Sequence, residues 1–182
     1  RAAEKRKKTM NELMWGRLRG FYFDYNYQRG VLGDIWSLAG FYPMWAGMVS
    51  DAQAKRIVEN LYRFKKKGGL STTMRPLIDT TVLFGSLKAQ WAHPNGWAPL
   101  HYFVVEGLKR YGYHDEAREI AVSWVKTNLD WFNRHGVFLE KYNVVNPKKK
   151  PVEGVYPSQT GFGWTNAVFV QFVEAYNLLE NE

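Results

Sequence analysis

Residues 136–143 read Gly136-Val137-Phe138-Leu139-Glu140-Lys141-Tyr142-Asn143. This stretch follows a run from Glu116 to Arg134 in which Ile120, Trp124, Val125, Leu129 and Phe132 share one side. That spacing predicts an amphipathic helix, and Gly136 predicts its stop, because glycine takes the left-handed conformation that closes helices. A short extended segment comes next, apolar apart from Glu140 and Lys141. Two other places read the same way: Gly20 precedes F-Y-F-D-Y-N, and Gly69 precedes L-S-T-T-M. In each, an amphipathic helix is expected to end on glycine and an extended segment to lead into a more apolar helix. Two of the three segments carry an acid, Asp24 or Glu140, four residues after the glycine, with a tyrosine just beyond.

Helices are expected over Ala2 to Leu18, Asp34 to Val49, Asp51 to about Lys67, Pro94 to Tyr111, Glu116 to Arg134 and about Gly163 to Leu179. Ser50 is placed to cap the third, Pro94 to start the fourth, and His114-Asp115 to open the fifth. The Asp34 to Val49 segment is apolar nearly all round, so it is expected to be enclosed on most sides. Alternating amphipathic and apolar helices describe a helical-hairpin repeat of roughly 50 to 70 residues. The fold class is therefore all-α, and the arrangement suits half of a double-layered helical toroid. A closed ring needs about twice this length. Residues 1–182 thus read as the C-terminal half of one domain, its other half expected ahead of Arg1.

Composition narrows the function. Of 182 residues, 46% are hydrophobic and 23% charged, which is globular rather than disordered. Eight Trp and eleven Tyr exceed what such a core needs, and aromatic faces stack on sugars and bases alike. The net charge of +8 raises nucleic acid as a partner. Much of the excess, however, sits in the runs Arg1 to Lys8, Lys65 to Lys67 and Lys148 to Lys150. The second is expected to end a helix and the third to lie in a loop, so solvated charge accounts for them. With no cysteine, disulfides and thiolate metal sites are excluded, while the compartment is not revealed. The apolar stretch Val31 to Val49 is broken by Gly33, Asp34, Gly40 and Pro43, so it reads as buried helix and not as a membrane span. His93, His101, His114 and His135 form no ligand pair at close helical spacing, so neither a metal nor a cofactor is implied.

Three stretches carry candidate chemistry. In Q-W-A-H-P-N-G-W-A-P-L, residues 90–100, a Pro94-Asn95-Gly96 turn separates Trp91 from Trp97. The two indoles can plug the core or form a stacking platform, and residue chemistry leaves both readings open. In the 136–142 segment, Glu140 is an acid in an apolar run. Enclosure raises the pKa of such a group unless Lys141 or another cation pairs with it. It can serve as a general base or only hold a loop through hydrogen bonds. In P-V-E-G-V-Y-P-S-Q-T-G-F-G-W-T-N, residues 151–166, Gly154, Gly161 and Gly163 allow backbone to approach a ligand. Tyr156, Phe162 and Trp164 can stack there, and Gln159, Thr165 and Asn166 can hydrogen-bond, though Thr165 or Asn166 can equally cap a helix.

These three stretches together resemble trehalases, the inverting glycoside hydrolases of family 37. The first resembles the signature Q-W-D-x-P-N-G-W-A-P, and L-E-K-Y and Y-P-x-Q-x-G-F-G-W-T-N follow in the same order and spacing. The resemblance covers essentially the whole chain but only the C-terminal part of the family's catalytic domain. It implies an (α/α)6 toroid and a disaccharide substrate, trehalose or a related α-glucoside. It also implies that Glu140 is the general base, that Gln90, Trp91 and Trp97 line the sugar site, and that Tyr142, Tyr156, Phe162 and Trp164 join them. The family's general acid belongs to an S-G-W-D-like motif that this chain lacks, so the segment alone is expected to be inactive. Inverting hydrolysis needs two carboxyls roughly 6.5–9.5 Å apart. Asp24 is the other acid on an equivalent connection and is expected to be structural. Two positions depart from the pattern: Ala92 replaces the Asp of Q-W-D, and Val155 replaces a Glu that grips the second glucose. Glu153 is the nearest substitute. The alternatives are a non-catalytic carbohydrate-binding or scaffold remnant, and a basic nucleic-acid-binding module.

Overall fold

Leucine, isoleucine and aromatic residues at helical spacing build the chain's longest elements, and short hairpins join them. The computed structural model describes residues 1–75, 90–154 and 156–179. Helix α1 spans Ala2–Leu13. Strands β1 (Trp15–Gly16) and β2 (Phe21–Tyr22) pair antiparallel, as do β3 (Tyr25–Asn26) and β4 (Val31–Leu32). A 3-10 turn at Leu38–Phe41 runs into α2 (Tyr42–Trp45), and α3 covers Asp51–Glu59. Strands β5 (Lys65–Lys66) and β6 (Gly69–Leu70) form the next hairpin. Beyond residue 90, β7 (Asn95–Trp97) leads directly into α4 (Ala98–Arg110). Helix α5 (His114–His135) follows, β8 (Lys141–Asn143) pairs back onto β7, and α6 (Gly163–Tyr176) packs on both α4 and α5.

Helix ends follow the expected chemistry at several points. The Ser50 hydroxyl accepts the Gln53 N–H while the Gln53 side chain accepts the Ser50 N–H, a complete capping box for α3. Gly136 closes α5 at φ +72°, and its N–H donates to the Phe132 carbonyl over 2.7 Å. Gly107 lets α4 lie against the backbone of α2, since a Cβ there would sit 3.1 Å from the Trp45 nitrogen.

Several expectations are corrected. The first helix stops at Leu13 rather than Leu18, because Trp15 and Gly16 pair with β2 and Trp15 packs on Tyr22 at 4.9 Å. Leu18 then falls at the hairpin tip, 97% exposed. The Asp34 to Val49 helix shrinks to the 3-10 turn and the single turn of α2. Pro43 has no N–H for a longer ladder, and Gly47 adopts φ +68°, which turns the chain away. Nor is that segment wholly enclosed, since Tyr42 and Trp45 remain partly exposed. Helix α3 ends at Glu59, so the Lys65 to Lys67 run sits in a hairpin instead of at a helix end. Gly20 and Gly69 are hairpin residues rather than helix caps; of the three glycines, Gly136 alone closes a helix. Pro94 starts no helix, because Asn95–Trp97 is strand and α4 begins at Ala98. The chain is thus mainly helical, but its extended connections pair as small hairpins and are not free loops.

Two regions of one core result. Phe21 meets Phe41 and Phe64 at 5.3 and 5.8 Å between ring centres. Between α4 and α5, the side chains of Val104, Val105, Leu108, Ile120, Ala121 and Trp124 are buried. No described helix is long and apolar enough to cross a membrane.

Candidate active site

The β7–β8 ladder assembles the site. Its register sets Trp97 opposite Lys141 and Gly96 opposite Tyr142, which brings the 90–97 turn to the segment that carries Glu140. Gly96 is required there, because a Cβ would meet Val144, the Leu70 carbonyl and His101 at 2.5 to 3.0 Å. The third stretch arrives through a bridge between Leu139 and Thr160, with the Glu140 N–H donating to the Gln159 carbonyl over 3.0 Å. Thr165, at the start of α6, donates its hydroxyl to the Leu139 carbonyl over 2.9 Å, and the Trp164 indole N–H reaches the Glu140 carbonyl at 3.4 Å.

Glu140 and Lys141 are both fully buried, and the Lys141 ammonium is paired with Glu140 Oε1. The other carboxylate oxygen, Oε2, lies 3.5 Å from the Tyr156 hydroxyl. The Lys141 ammonium also stands 5.1 Å from the ring centre of Trp97 and 5.6 Å from that of Tyr156. Such a cation is drawn to both aromatic faces as well as to the carboxylate.

The tryptophans form a cluster. Trp91 and Trp97 stack in parallel at 3.8 Å, and Trp164 stands edge-on to both, at 6.2 and 5.9 Å. Phe162 extends the cluster at 4.6 Å from Trp164. Trp97 is buried, its indole N–H donating to the Gln90 carbonyl over 2.9 Å, whereas Trp91 is 44% exposed. Gln90 is half-buried, with its side chain so close to Gly154 that a Cβ there would meet it at 2.8 Å. Beside Trp164, an apolar groove of about 290 Å³ runs between α4 and α6, past Pro99, Tyr102, Phe103 and Val168.

Of the residues singled out from sequence, the fold brings Gln90, Trp91, Trp97, Glu140, Tyr156, Phe162 and Trp164 into this one region. Tyr142 is placed differently. Its ring packs in the core against Trp124 and Trp131, and its hydroxyl accepts the Leu139 N–H over 2.9 Å. Burial pushes that hydroxyl's pKa up, with the backbone hydrogen bond opposing. Glu153 points to the exterior, and Asp24 is exposed with its carbonyl accepting the Gly33 N–H. Val155 lies outside the described residues.

Sequence reasoning gave no site role to Asn95 or His101, and named Lys141 only as a cation able to pair with Glu140. The Asn95 amide donates to the Gln90 and Val152 carbonyls and accepts the Val152 N–H, tying the turn to the 151–154 stretch. His101 accepts the Leu70 N–H at Nε2 over 2.8 Å, and its Nδ1 lies 2.8 Å from the Trp97 carbonyl. Burial holds its pKa down at about 3, outweighing the Trp97 carbonyl contact that pulls upward. A neutral His101 with Nδ1–H donating satisfies both bonds. Its signal in sequence was one helical turn of separation from Trp97; that of Lys141 was direct adjacency to Glu140.

Comparison with known proteins places these features in context. The family model for trehalase matches residues 1–177. The periplasmic trehalase of Xanthomonas oryzae is 36% identical over 175 residues, which cover 96% of this chain and 29% of that protein. The neutral trehalase Nth1 of Saccharomyces cerevisiae superposes with a TM-score of 0.80 at 28% identity, over 97% of this chain and 30% of that one. The fold alone is shared with a GH63 mannosylglycerate hydrolase of Thermus thermophilus, at a TM-score of 0.66 and 24% identity, over 91% of this chain and 36% of that one. The chain therefore spans about three tenths of the length of the trehalases it matches.

Proposed function

The chain belongs to the trehalase family, and from that premise we propose that it carries the general-base half of an inverting glycosidase site acting on trehalose or a related α-glucoside. One observation carries the reading: Glu140, the one buried carboxylate among the described residues, sits where the Trp91–Trp97–Trp164 cluster, Tyr156 and the 156–164 segment converge. Glu140 is the base that takes a proton from water as that water attacks the anomeric carbon. Trp91, with its exposed face, is the stacking surface for a sugar ring, and Trp164 and Phe162 border it. The general acid and the remaining sugar contacts come from the rest of the domain, and the segment is about half of an (α/α)6 toroid that the missing hairpins complete. Glu153 is the acid closest in sequence to the second-sugar position that Val155 leaves without a carboxylate.

A second reading has its own support. The carboxylate is wholly enclosed and ion-paired, as expected of a purely structural group in a non-catalytic carbohydrate-binding remnant. Proton NMR of the first-formed sugars, using the complete domain and α,α-trehalose, separates the two. Inversion releases one α- and one β-glucose before mutarotation. Only α-glucose would indicate retention, and no product from the folded complete domain would favour the remnant.

A further inference from the structure

We propose that Lys141 is a positioning residue for the reaction: it holds Glu140 Oε1, so that Oε2 alone receives the proton, and it ties the carboxylate to the sugar-stacking tryptophans. The inference rests on Glu140 being the base. Three observations carry it. Lys141 and Glu140 are buried together, with the ammonium on Oε1 and not on Oε2. Apart from the Tyr156 hydroxyl at 3.5 Å, no side chain among the described residues holds Oε2. The same ammonium faces Trp97, whose parallel stacking with Trp91 at 3.8 Å fills one side of that indole, leaving the other side for the cation.

A carboxylate bound at one oxygen loses rotational freedom, and the remaining oxygen is aimed. A water must be met from one direction for in-line attack, so this restriction belongs to the transition state more than to sugar binding. Arginine keeps the charge but replaces a compact ammonium with a longer planar fork, which displaces the carboxylate. The strand register sets Lys141 opposite Trp97 on β7–β8, which places the ammonium between that indole and Oε1. Trp91, Trp97 and Glu140 are thus linked by direct contacts through Lys141.

The test compares Lys141→Met, Lys141→Arg, Glu140→Gln and the double variant Glu140→Gln/Lys141→Met in the complete enzyme, each normalised to folded protein. Lys141→Met should lower kcat at least tenfold with KM within a few-fold of wild type, and Lys141→Arg should lie between the two. In the Glu140→Gln background, Lys141→Met should cost little more, because it acts through Glu140. Should Lys141→Met not fold, Lys141→Arg decides, with a several-fold loss of kcat at unchanged KM expected. Wild-type kcat in Lys141→Arg, or an undiminished Lys141→Met effect in the Glu140→Gln background, overturns the assignment. A fully active Glu140→Gln instead overturns the base reading on which it stands, so the two failures are told apart.

Discussion

Trp91 and Trp97 stack in parallel 3.8 Å apart across the Pro94-Asn95-Gly96 turn, one indole partly open and the other sealed. Trp97 is therefore an anchor, and under the proposed function Trp91 is the platform. Trp97 is fixed by its hydrogen bond to the Gln90 carbonyl, and it supports Trp91 from beneath.

That division of labour separates two substitutions. In the complete domain, Trp97→Ala should destabilise by about 3–5 kcal/mol, the usual cost of emptying a large aromatic site in a core. Trp91→Ala should cost far less stability yet weaken sugar binding and reduce the sugar-induced change in tryptophan fluorescence. Chemical denaturation and fluorescence titration check both. Unaltered sugar affinity in a folded Trp91→Ala would return Trp91 to a structural role.

His101 sets an acid limit on stability. Its folded pKa of about 3 lies below the ordinary value of 6.5, so the unfolded chain binds a proton that the folded chain refuses. The contribution is fully present above pH 6.5 and is lost as pH falls toward 3, by up to about 1.4 kcal/mol per pH unit. Urea unfolding between pH 7 and pH 4 should show this slope. In His101→Asn or His101→Gln, the part due to this residue should disappear.

The segment alone should self-associate. Tyr42 and Trp45 pack edge-on against Phe103 at 4.8 and 4.7 Å, and Tyr102, Phe103 and Trp164 line the groove between α4 and α6. That makes a connected, partly exposed apolar face, and such faces drive association once they exceed a few hundred Å². Sedimentation velocity of residues 1–182 should show concentration-dependent oligomers. A monomer across the whole concentration range would argue against the half-toroid.

Helices with a strong stripe and a defined cap were legible: Ser50 capped α3, and α5 ran the length its apolar positions set, to Gly136. Hairpins of two-residue strands were not, because so short a run carries no alternation to read. The same gap hid the end of α1 and the fate of Lys65 to Lys67. Asp34 to Val49 misled because apolar content outweighed the breakers Gly40, Pro43 and Gly47. At the site, residue types and motif order located Glu140 and the tryptophans. The burial of Tyr142 and the two contacts of Lys141, with Glu140 and with Trp97, depended on the β7–β8 register, which fixes the face each side chain meets.

Glu140→Gln in the complete enzyme decides whether Glu140 is the general base. Glutamine keeps the shape and can still meet Lys141 through its carbonyl oxygen, but it cannot take a proton from water. The measurement is turnover of trehalose alongside the affinity of a non-hydrolysable sugar inhibitor. A general-base role predicts a 10²–10⁴-fold loss of kcat, typical for a positioned base, with inhibitor affinity within a few-fold of wild type. Turnover within a few-fold of wild type would contradict it.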